Sequence, residues 1–267
     1  MDNVVLRLDS PQEDEFFLLN DGVRSFYEMF LFPGEGLAHL GLLDPGQWDE
    51  QSRNEWWRGM ERILQSAERP GVERILLKSP THAFRLPLLE ARYPRAAFIN
   101  IERDPLAVFL STRHTFLSNA RLFALDGTGD CAELDELVIA CYREHRQRVS
   151  EGRLRLSERW VDLRYEELLG EPEATLARLY RRFGWAGFEE VRPSFSAFME
   201  TQRDFRPNRF DVSPEKAEAI RARLDLTDSR EGLNTHGDTE TDFELIDLES
   251  SPVDPERFTP DGARRLA

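Results

Sequence analysis

The chain has 267 residues, 40% of them hydrophobic, which is enough to bury a substantial core in one domain. Its formal net charge is −15 at pH 7, and this argues against a surface that binds nucleic acid or an anionic membrane. Two cysteines are too few for a disulfide framework, and no apolar run predicts a signal peptide or membrane span, so a reduced cytoplasmic protein is expected.

The N-terminal part predicts two helices. A serine–proline pair followed by Glu13, Asp14 and Glu15 indicates a helix start, where carboxylates stabilise the N-terminal end. Residues 47–68 carry apolar side chains at helical spacing and predict a long amphipathic helix that ends at an Arg-Pro-Gly sequence.

The centre of the chain predicts a strand, a helix and a second strand. Residues 74–78 and 97–101 are apolar runs of strand length, and residues 83–92 have the pattern of a helix packed on a sheet. Asp104 and Pro105 then supply a capping carboxylate and a first-position proline for the next helix. The arrangement predicts a parallel βαβ unit, in which ligands bind at the carboxyl ends of the strands.

Polar side chains cluster just after the two predicted strands. Lys78 and His82 follow the first strand, Arg103 follows the second, and Ser111 comes two helical turns later. An arginine fork and a hydroxyl can share one phosphate, a lysine can stabilise a developing anion, and a histidine can accept a proton. Each residue also has a simpler interpretation: Arg103 as the partner of a carboxylate, Ser111 as a helix surface residue, and His82 as a helix cap.

The downstream chain continues the alternation of helices with a strand. The predicted elements are a helix at residues 133–149, a strand at 155–164, helices at 172–183 and 185–199, and a last helix ending at residue 224. Ser213 and Pro214 predict the start of that last helix, as its cap and first position.

The C-terminal part has a different composition. Residues 237–256 contain eight acids and no lysine or arginine, which is too charged to build a core. We therefore expect an α/β domain at residues 1–234 and an acidic, flexible tail at residues 235–267. Residues 243–249 alternate acids with hydrophobes, so docking on a partner is the alternative for this part of the tail.

Residues 76–112, LLKSPTHAFRLPLLEARYPRAAFINIERDPLAVFLST, resemble the core of the sulfotransferases that use 3'-phosphoadenosine-5'-phosphosulfate (PAPS), in particular the bacterial branch. The matching elements are K-S-P-x-H, YP-x-A-x-F and R-D-P…S. Residues 160–176 add a second match, to the family's R-Y-E-x-L…P-E-x-x-L. The resemblance covers roughly residues 10–224 and implies a P-loop-NTPase-like parallel sheet flanked by helices, the sulfotransferase fold.

The resemblance implies a nucleotide site. Arg103 and Ser111 fall on the residues that hold the 3'-phosphate of PAPS, and Tyr165 falls on the tyrosine that a strand delivers towards adenine. Arg206 and Arg209 fall in a segment that resembles the family's R-P-N lid, where basic residues approach the nucleotide.

The resemblance also implies a reaction, the transfer of a sulfuryl group from PAPS to the hydroxyl or amine of a small-molecule acceptor. His82 is the expected base, and Lys78 stabilises charge on the bridging oxygen; both are the implied catalytic residues. Glu13 and Glu15 are the reserve bases. No metal is expected, because cations and backbone dipoles position the transferred group.

One element of the family pattern is missing from the sequence, the first strand and its phosphosulfate-binding loop. The glycine-containing segments at residues 32–36 and 126–130 carry acids where an anion would sit. We therefore expect an N-terminally incomplete fold in which residues 3–8, or a second chain in a homo-oligomer or other partner, supply the strand. The alternative function is a non-catalytic nucleotide-binding or scaffold member of the family that has lost this loop.

Overall fold

The computed structural model describes residues 12–127, 131–203 and 205–224, together with the backbone of the two-residue strand Leu245–Ile246. This part of the chain is mainly helical. The α-helices are α1 (Asp14–Asn20), α2 (Glu50–Ala67), α3 (Leu86–Arg92), α4 (Pro105–Phe123), α5 (Leu134–Leu156), α6 (Tyr165–Gly170), α7 (Pro172–Phe183), α8 (Phe188–Thr201) and α9 (Pro214–Arg223). The strands are β1 (Phe98–Glu102), β2 (Trp160–Arg164), β3 (Arg209–Phe210) and β4 (Leu245–Ile246). Short 3-10 helices cover Phe26–Phe30, Pro33–Leu42, Pro45–Gln47, Pro80–Arg85 and Ser157–Arg159.

The sheet that matters for the site consists of β1 and β2. They pair in parallel, with Phe98 opposite Trp160 and Glu102 opposite Arg164, so both strands end at the same edge. The strand predicted at residues 97–101 is thereby confirmed, displaced by one residue. The second predicted strand was partly wrong, because α5 continues to Leu156 and only the last five residues of that segment form β2.

The predicted strand at residues 74–78 is wrong. These residues have no regular structure, and no ladder of hydrogen bonds joins them to any described part of the chain. Leu76 is 83% exposed, and Ile75 is also exposed. A strand is stabilised by the backbone bonds of its neighbour; within the described ranges β1 pairs with β2, and residues 74–78 pair with neither.

Several predicted helix starts are confirmed by their caps. Asp104 accepts the backbone N–H of Ala107 at 2.8 Å, and Pro105 occupies the first position of α4. Ser213 caps α9 in the same way, 3.3 Å from the N–H of Lys216. At the predicted helix 83–92 the chain instead forms the 3-10 turn Pro80–Arg85, capped by Ser79 rather than His82, before α3 begins.

The main core lies between the N-terminal 3-10 segments and two long helices. Phe26, Met29 and Phe30 pack with buried residues of α4 and α5, including Phe109 and Leu137. A smaller cluster joins α1 to α2 through buried Leu18, Trp56 and Met60. A third holds α5 against α3 and β2. α1 and the end of the β1–β2 sheet are thus both fixed by buried apolar contacts.

Two predictions concern segments at the ends of the chain. The predicted domain boundary at residue 235 lies outside the described residues, as does the predicted strand at residues 3–8. Of the acidic tail, the structure describes the backbone of β4, which pairs in parallel with β3.

A glycine sets how closely α5 approaches its neighbours. A Cβ atom at Gly152 would lie 2.7 Å from Cδ1 of Leu86 and 3.3 Å from the Trp160 ring. We expect Gly152→Val to lower the free energy of unfolding by about 1–3 kcal/mol, because overpacking forces buried side chains apart. Denaturant unfolding measures this, and Gly170→Val is the control, since nothing lies within 4 Å of a Cβ there. Equal stability of the two variants would contradict this packing.

Candidate functional site

Three consecutive acids at the start of α1 meet the turn that follows residues 74–78. The innermost, Glu15, is fully buried and forms an ion pair with Arg85, which is fully buried too. Ser25 and Thr81 donate hydroxyl hydrogen bonds to the same carboxylate, the second at 2.8 Å, and the Arg85 guanidinium lies 5.1 Å from the Trp56 ring centroid. These contacts fix the Pro80–Arg85 turn against α1 and α2.

The middle acid, Asp14, lies against His82. Its Oδ2 is 3.1 Å from Nε2 of the imidazole, and the two side chains are 2% and 16% exposed. The contact is not aligned as a hydrogen bond. Neither carboxylate oxygen of Asp14 and neither ring nitrogen of His82, all of them buried, has a hydrogen-bond partner within the described ranges.

The outermost acid, Glu13, pairs with Lys78 and accepts a hydrogen bond from the Tyr27 hydroxyl. Burial, reinforced by the Glu13 carboxylate, raises the pKa of Tyr27 well above its usual range, so the phenol remains a donor. The Lys78 side chain is 74% exposed, so its ammonium remains accessible from solvent. Both carboxylates that the sequence offers as reserve bases, those of Glu13 and Glu15, therefore already accept from other side chains.

A second group of predicted residues lies at the edge where β1 and β2 end. Arg103 directly follows β1, and its guanidinium carbon lies 4.5 Å from the ring centroid of Tyr165, which directly follows β2. Arg103 forms no ion pair with a carboxylate of the described residues. The neighbouring Asp104 instead caps α4 and lies 3.5 Å from Arg221 of α9. The N–H groups of Arg103 are thus available to an anion.

A polar cluster fixes the register of the two strands. Asp162 accepts hydrogen bonds from Asn100 at 2.9 Å and from the Trp160 indole at 3.0 Å, and pairs with Arg153 at 2.8 Å. Burial alone would raise the pKa of Asp162, but these donors outweigh it and hold the pKa below its usual range. The carboxylate therefore remains ionised and ties β1, β2 and α5 together beneath the site.

The remaining predicted nucleotide residues lie on or beside α4. Ser111 is half-buried in this helix, and its hydroxyl has no side-chain partner within the described residues. The segment that carries Arg206 and Arg209 approaches the same helix, because the Phe210 ring lies 5.6 Å from His114, one turn beyond Ser111. Both arginines are exposed.

The structure therefore arranges the predicted residues in two groups. Arg103 and Tyr165 lie together at the sheet edge, while Lys78 and His82 lie against the acids of α1. No hydrogen bond, ion pair or ring contact joins the two groups in the described part of the chain, which follows from the absence of a strand at residues 74–78. Sequence reasoning missed Asp14 and Arg85. No sequence signal pointed to these two residues, because their contacts join segments that are distant in the chain.

The glycine-containing segments that lack the features of a phosphate loop contact each other. The N–H of Gly34 donates to Asp126 at 3.0 Å. Gly36 has a φ of 51°, and a Cβ there would lie 3.0 Å from the carbonyl oxygen of Ala132. Glycine is therefore needed in this segment for close packing of two chain segments.

Other kinds of site are not found in the described residues. No group of His, Cys, Asp and Glu has the arrangement of a metal site, and no helix there combines the length and hydropathy needed to cross a membrane. Both cysteines are free, and burial raises the pKa of Cys131 to about 11 and of Cys141 to about 12, so both thiols stay protonated at neutral pH.

The buried ion pair yields a stability prediction. Arg85→Met leaves the enclosed Glu15 carboxylate without its cation, and breaking such a pair costs about 3–5 kcal/mol of unfolding free energy. The control is Arg178→Met, which removes the exposed ion pair with Glu167 and should change stability by about 0.5 kcal/mol or less. Denaturant unfolding compares the two, and similar losses would show that the pair does not organise this region.

Comparisons with known proteins identify the family of the chain. A model described as the sulfotransferase family matches residues 8–190. Two curated relatives, from Mycobacterium bovis and Mycobacterium tuberculosis, are each named omega-hydroxy-beta-dihydromenaquinone-9 sulfotransferase Stf3. Each is 32% identical over 242 residues, which are 88% of this chain and 61% of the relative, so the chain spans about three-fifths of their length.

No solved structure matches the chain. The mainly helical α/β arrangement with a small parallel sheet is consistent with a sulfotransferase fold, and the family match covers more than half of the sequence, including Lys78, His82, Arg103 and Tyr165. The resemblance found in the sequence is thereby confirmed: the chain belongs to the sulfotransferase family.

Proposed function

We propose that this protein transfers a sulfuryl group from PAPS to the hydroxyl or amine of an acceptor molecule. Family membership supports the reaction class. The main support for nucleotide binding is that Arg103 contacts an aromatic ring and forms no ion pair with a carboxylate of the described residues. Many arginines of the described chain, such as Arg113, Arg148 and Arg153, form ion pairs with carboxylates. Arg103, like Arg24 beside Trp48, instead lies over an aromatic ring, and in its case that ring, Tyr165, lies at the edge where the two strands end.

An arginine held this way is suited to bind a phosphate. Stacking on an aromatic ring orients the guanidinium plane and leaves the N–H donors for a bidentate interaction with an anion. In the proposal Arg103 and Ser111 bind the 3'-phosphate of PAPS, and Tyr165 offers its ring to adenine. Arg206 and Arg209, on the segment beside α4, add positive charge near the nucleotide.

The residues proposed to act in the transfer, Lys78 and His82, lie against the acids of α1. His82 accepts the proton of the acceptor hydroxyl while its oxygen bonds to sulfur. The bond from sulfur to the 5'-phosphate oxygen breaks, and 3',5'-adenosine bisphosphate leaves. Lys78 neutralises the charge that develops on that oxygen. Since Lys78 is exposed and paired with Glu13, it exchanges one anionic partner for another during this step.

A hydroxyl acceptor is the favoured class. The names of the two mycobacterial relatives contain an omega-hydroxy compound, and each relative matches 88% of this chain at 32% identity. An amine acceptor remains the second possibility within the same reaction.

The second candidate function is that of a nucleotide-binding or scaffold protein of this family that does not catalyse sulfuryl transfer. The position of Lys78 favours this non-catalytic function, because residues 74–78 do not join the sheet and the lysine is not held at the sheet edge. The two candidates share the nucleotide site and differ in transfer, so they are separated by experiment below.

The proposed nucleotide site predicts a preference for nucleotides that carry a 3'-phosphate. The protein should bind 3',5'-adenosine bisphosphate roughly ten- to a hundredfold more tightly than 5'-AMP, because the 3'-phosphate gains a charge-assisted hydrogen bond worth about 1.5–3 kcal/mol. Arg103→Met should remove this difference, whereas Arg62→Met, which removes the exposed pair with Asp21, should not. Calorimetric titration of both ligands measures it. Equal loss of affinity for both in Arg103→Met would count against the site.

The reaction predicts a role for His82. His82→Ala should lower transfer of radiolabelled sulfate from PAPS by about a hundredfold or more and leave nucleotide affinity unchanged. Glu13→Gln is the comparison, because it keeps the size of a reserve base and removes its charge. Normal transfer by His82→Ala would assign the base elsewhere. Unimpaired bisphosphate binding with no transfer by the wild-type protein would favour the non-catalytic function.

A further inference from the structure

The three acids of α1 are not equivalent in their partners. Glu13 has an ammonium and a phenol, and Glu15 has a guanidinium and two hydroxyls. Asp14 lies between them, and its one ion-pair partner among the described residues is His82. The acids on either side already have cationic partners, so the His82 imidazole is the group placed to interact with Asp14.

Asp14 and the ring nitrogens of His82 are buried, so the lack of hydrogen bonds to them needs a physical explanation. The Asp14 side chain is 2% exposed, and both its oxygens lack hydrogen bonds within the described ranges, as do both nitrogens of His82. Buried polar groups without partners are costly and uncommon in folded proteins. Oδ2 and Nε2 are already 3.1 Å apart, so a rotation of the ring that aligns them would satisfy one oxygen of Asp14 and one nitrogen of His82 with a single hydrogen bond. Catalytic hydrogen bonds are often misaligned without substrate and tighten when it binds.

We propose that Asp14 is a positioning residue that keeps the neutral imidazole of His82 protonated at Nε2. This rests on the proposed function of His82 as the base. With Nε2–H directed at the carboxylate, the lone pair of the imidazole is on Nδ1. Nδ1 is enclosed in this structure, so the proposal includes a turn of the ring that presents Nδ1 to the acceptor while Nε2–H stays on Asp14. The acceptor hydroxyl then gives its proton to Nδ1, and the resulting imidazolium is stabilised by the Asp14 carboxylate beside it.

Among the described residues, the other ionisable groups near the turn do not take this role. Lys78 and Arg85 are engaged by Glu13 and Glu15. On α5, the helix packed on the turn, His145 lies against the neighbouring Phe84, with ring centroids 6.2 Å apart. Burial lowers the pKa of His145 below its usual value, so this histidine is neutral at neutral pH and does not compete for the carboxylate.

The tautomer of His82 is measurable without turnover. In protein labelled with ¹⁵N-histidine, His82→Gln identifies the His82 signals in two-dimensional NMR spectra. We expect the neutral wild-type ring to show Nε2 protonated and Nδ1 unprotonated, and Asp14→Ala to shift the population towards the Nδ1–H form. The control is Asp21→Ala, at the other end of α1 and paired with Arg62, which should leave the signals unchanged. A wild-type Nδ1–H ring, or no response to Asp14→Ala, would overturn the proposal.

The second measurement is the steady-state kinetics of sulfuryl transfer by Asp14→Asn, a variant that keeps the volume of the side chain. In Asp14→Asn the amide can donate to Nε2 and so favours the Nδ1–H tautomer. We expect kcat to fall about tenfold or more while KM for PAPS is unchanged and the fold is retained. Unchanged kcat in this variant contradicts the positioning role. If the tautomer shifts as expected and wild-type protein transfers no sulfuryl group, the proposed function fails while the contact between Asp14 and His82 stands.

Discussion

The buried ion pair between Glu15 and Arg85 is the contact on which the arrangement of the site depends. Enclosing two charges is costly unless each has an opposite partner, which Glu15 and Arg85 are for one another. Ser25 and Thr81 add hydrogen bonds to the Glu15 carboxylate, whereas the Arg85 guanidinium has no hydrogen bond within the described residues and lies over the Trp56 ring. The pair fixes the position of α1 against the Pro80–Arg85 turn. Because Asp14 precedes Glu15 in the chain and His82 precedes Arg85 by three residues, their contact follows from this pair.

The second organising feature is the common edge at which β1 and β2 end. Parallel pairing in register places the residues after both strands side by side, although they are distant in sequence. Asp162, held by Asn100 and Arg153, stabilises that register from within the sheet. Arg103 and Tyr165 are therefore adjacent because the backbones of β1 and β2 pair in register. The contact with the Tyr165 ring holds the Arg103 guanidinium in place, in a chain where carboxylates engage many other arginines.

Local signals predicted much of the fold. The caps at Asp104 and Ser213 fixed helix starts, since a side-chain oxygen and a first-position proline act within one turn. The strand predicted at residues 74–78 failed because a strand depends on a neighbour, which an apolar run does not specify. The family motif identified His82 and Arg103, whereas the partners Asp14 and Arg85 depend on tertiary contacts across more than 60 residues, which no local pattern encodes.

The proposed nucleotide site places a phosphate where β1 and β2 end. Hydrogen–deuterium exchange measured by mass spectrometry, with and without 3',5'-adenosine bisphosphate, tests this placement. The ligand should slow exchange in the peptides that contain Arg103 and Tyr165, with little change in the exposed segment at residues 68–75. Protection confined to that segment, or none at the strand ends under saturating ligand, would contradict it.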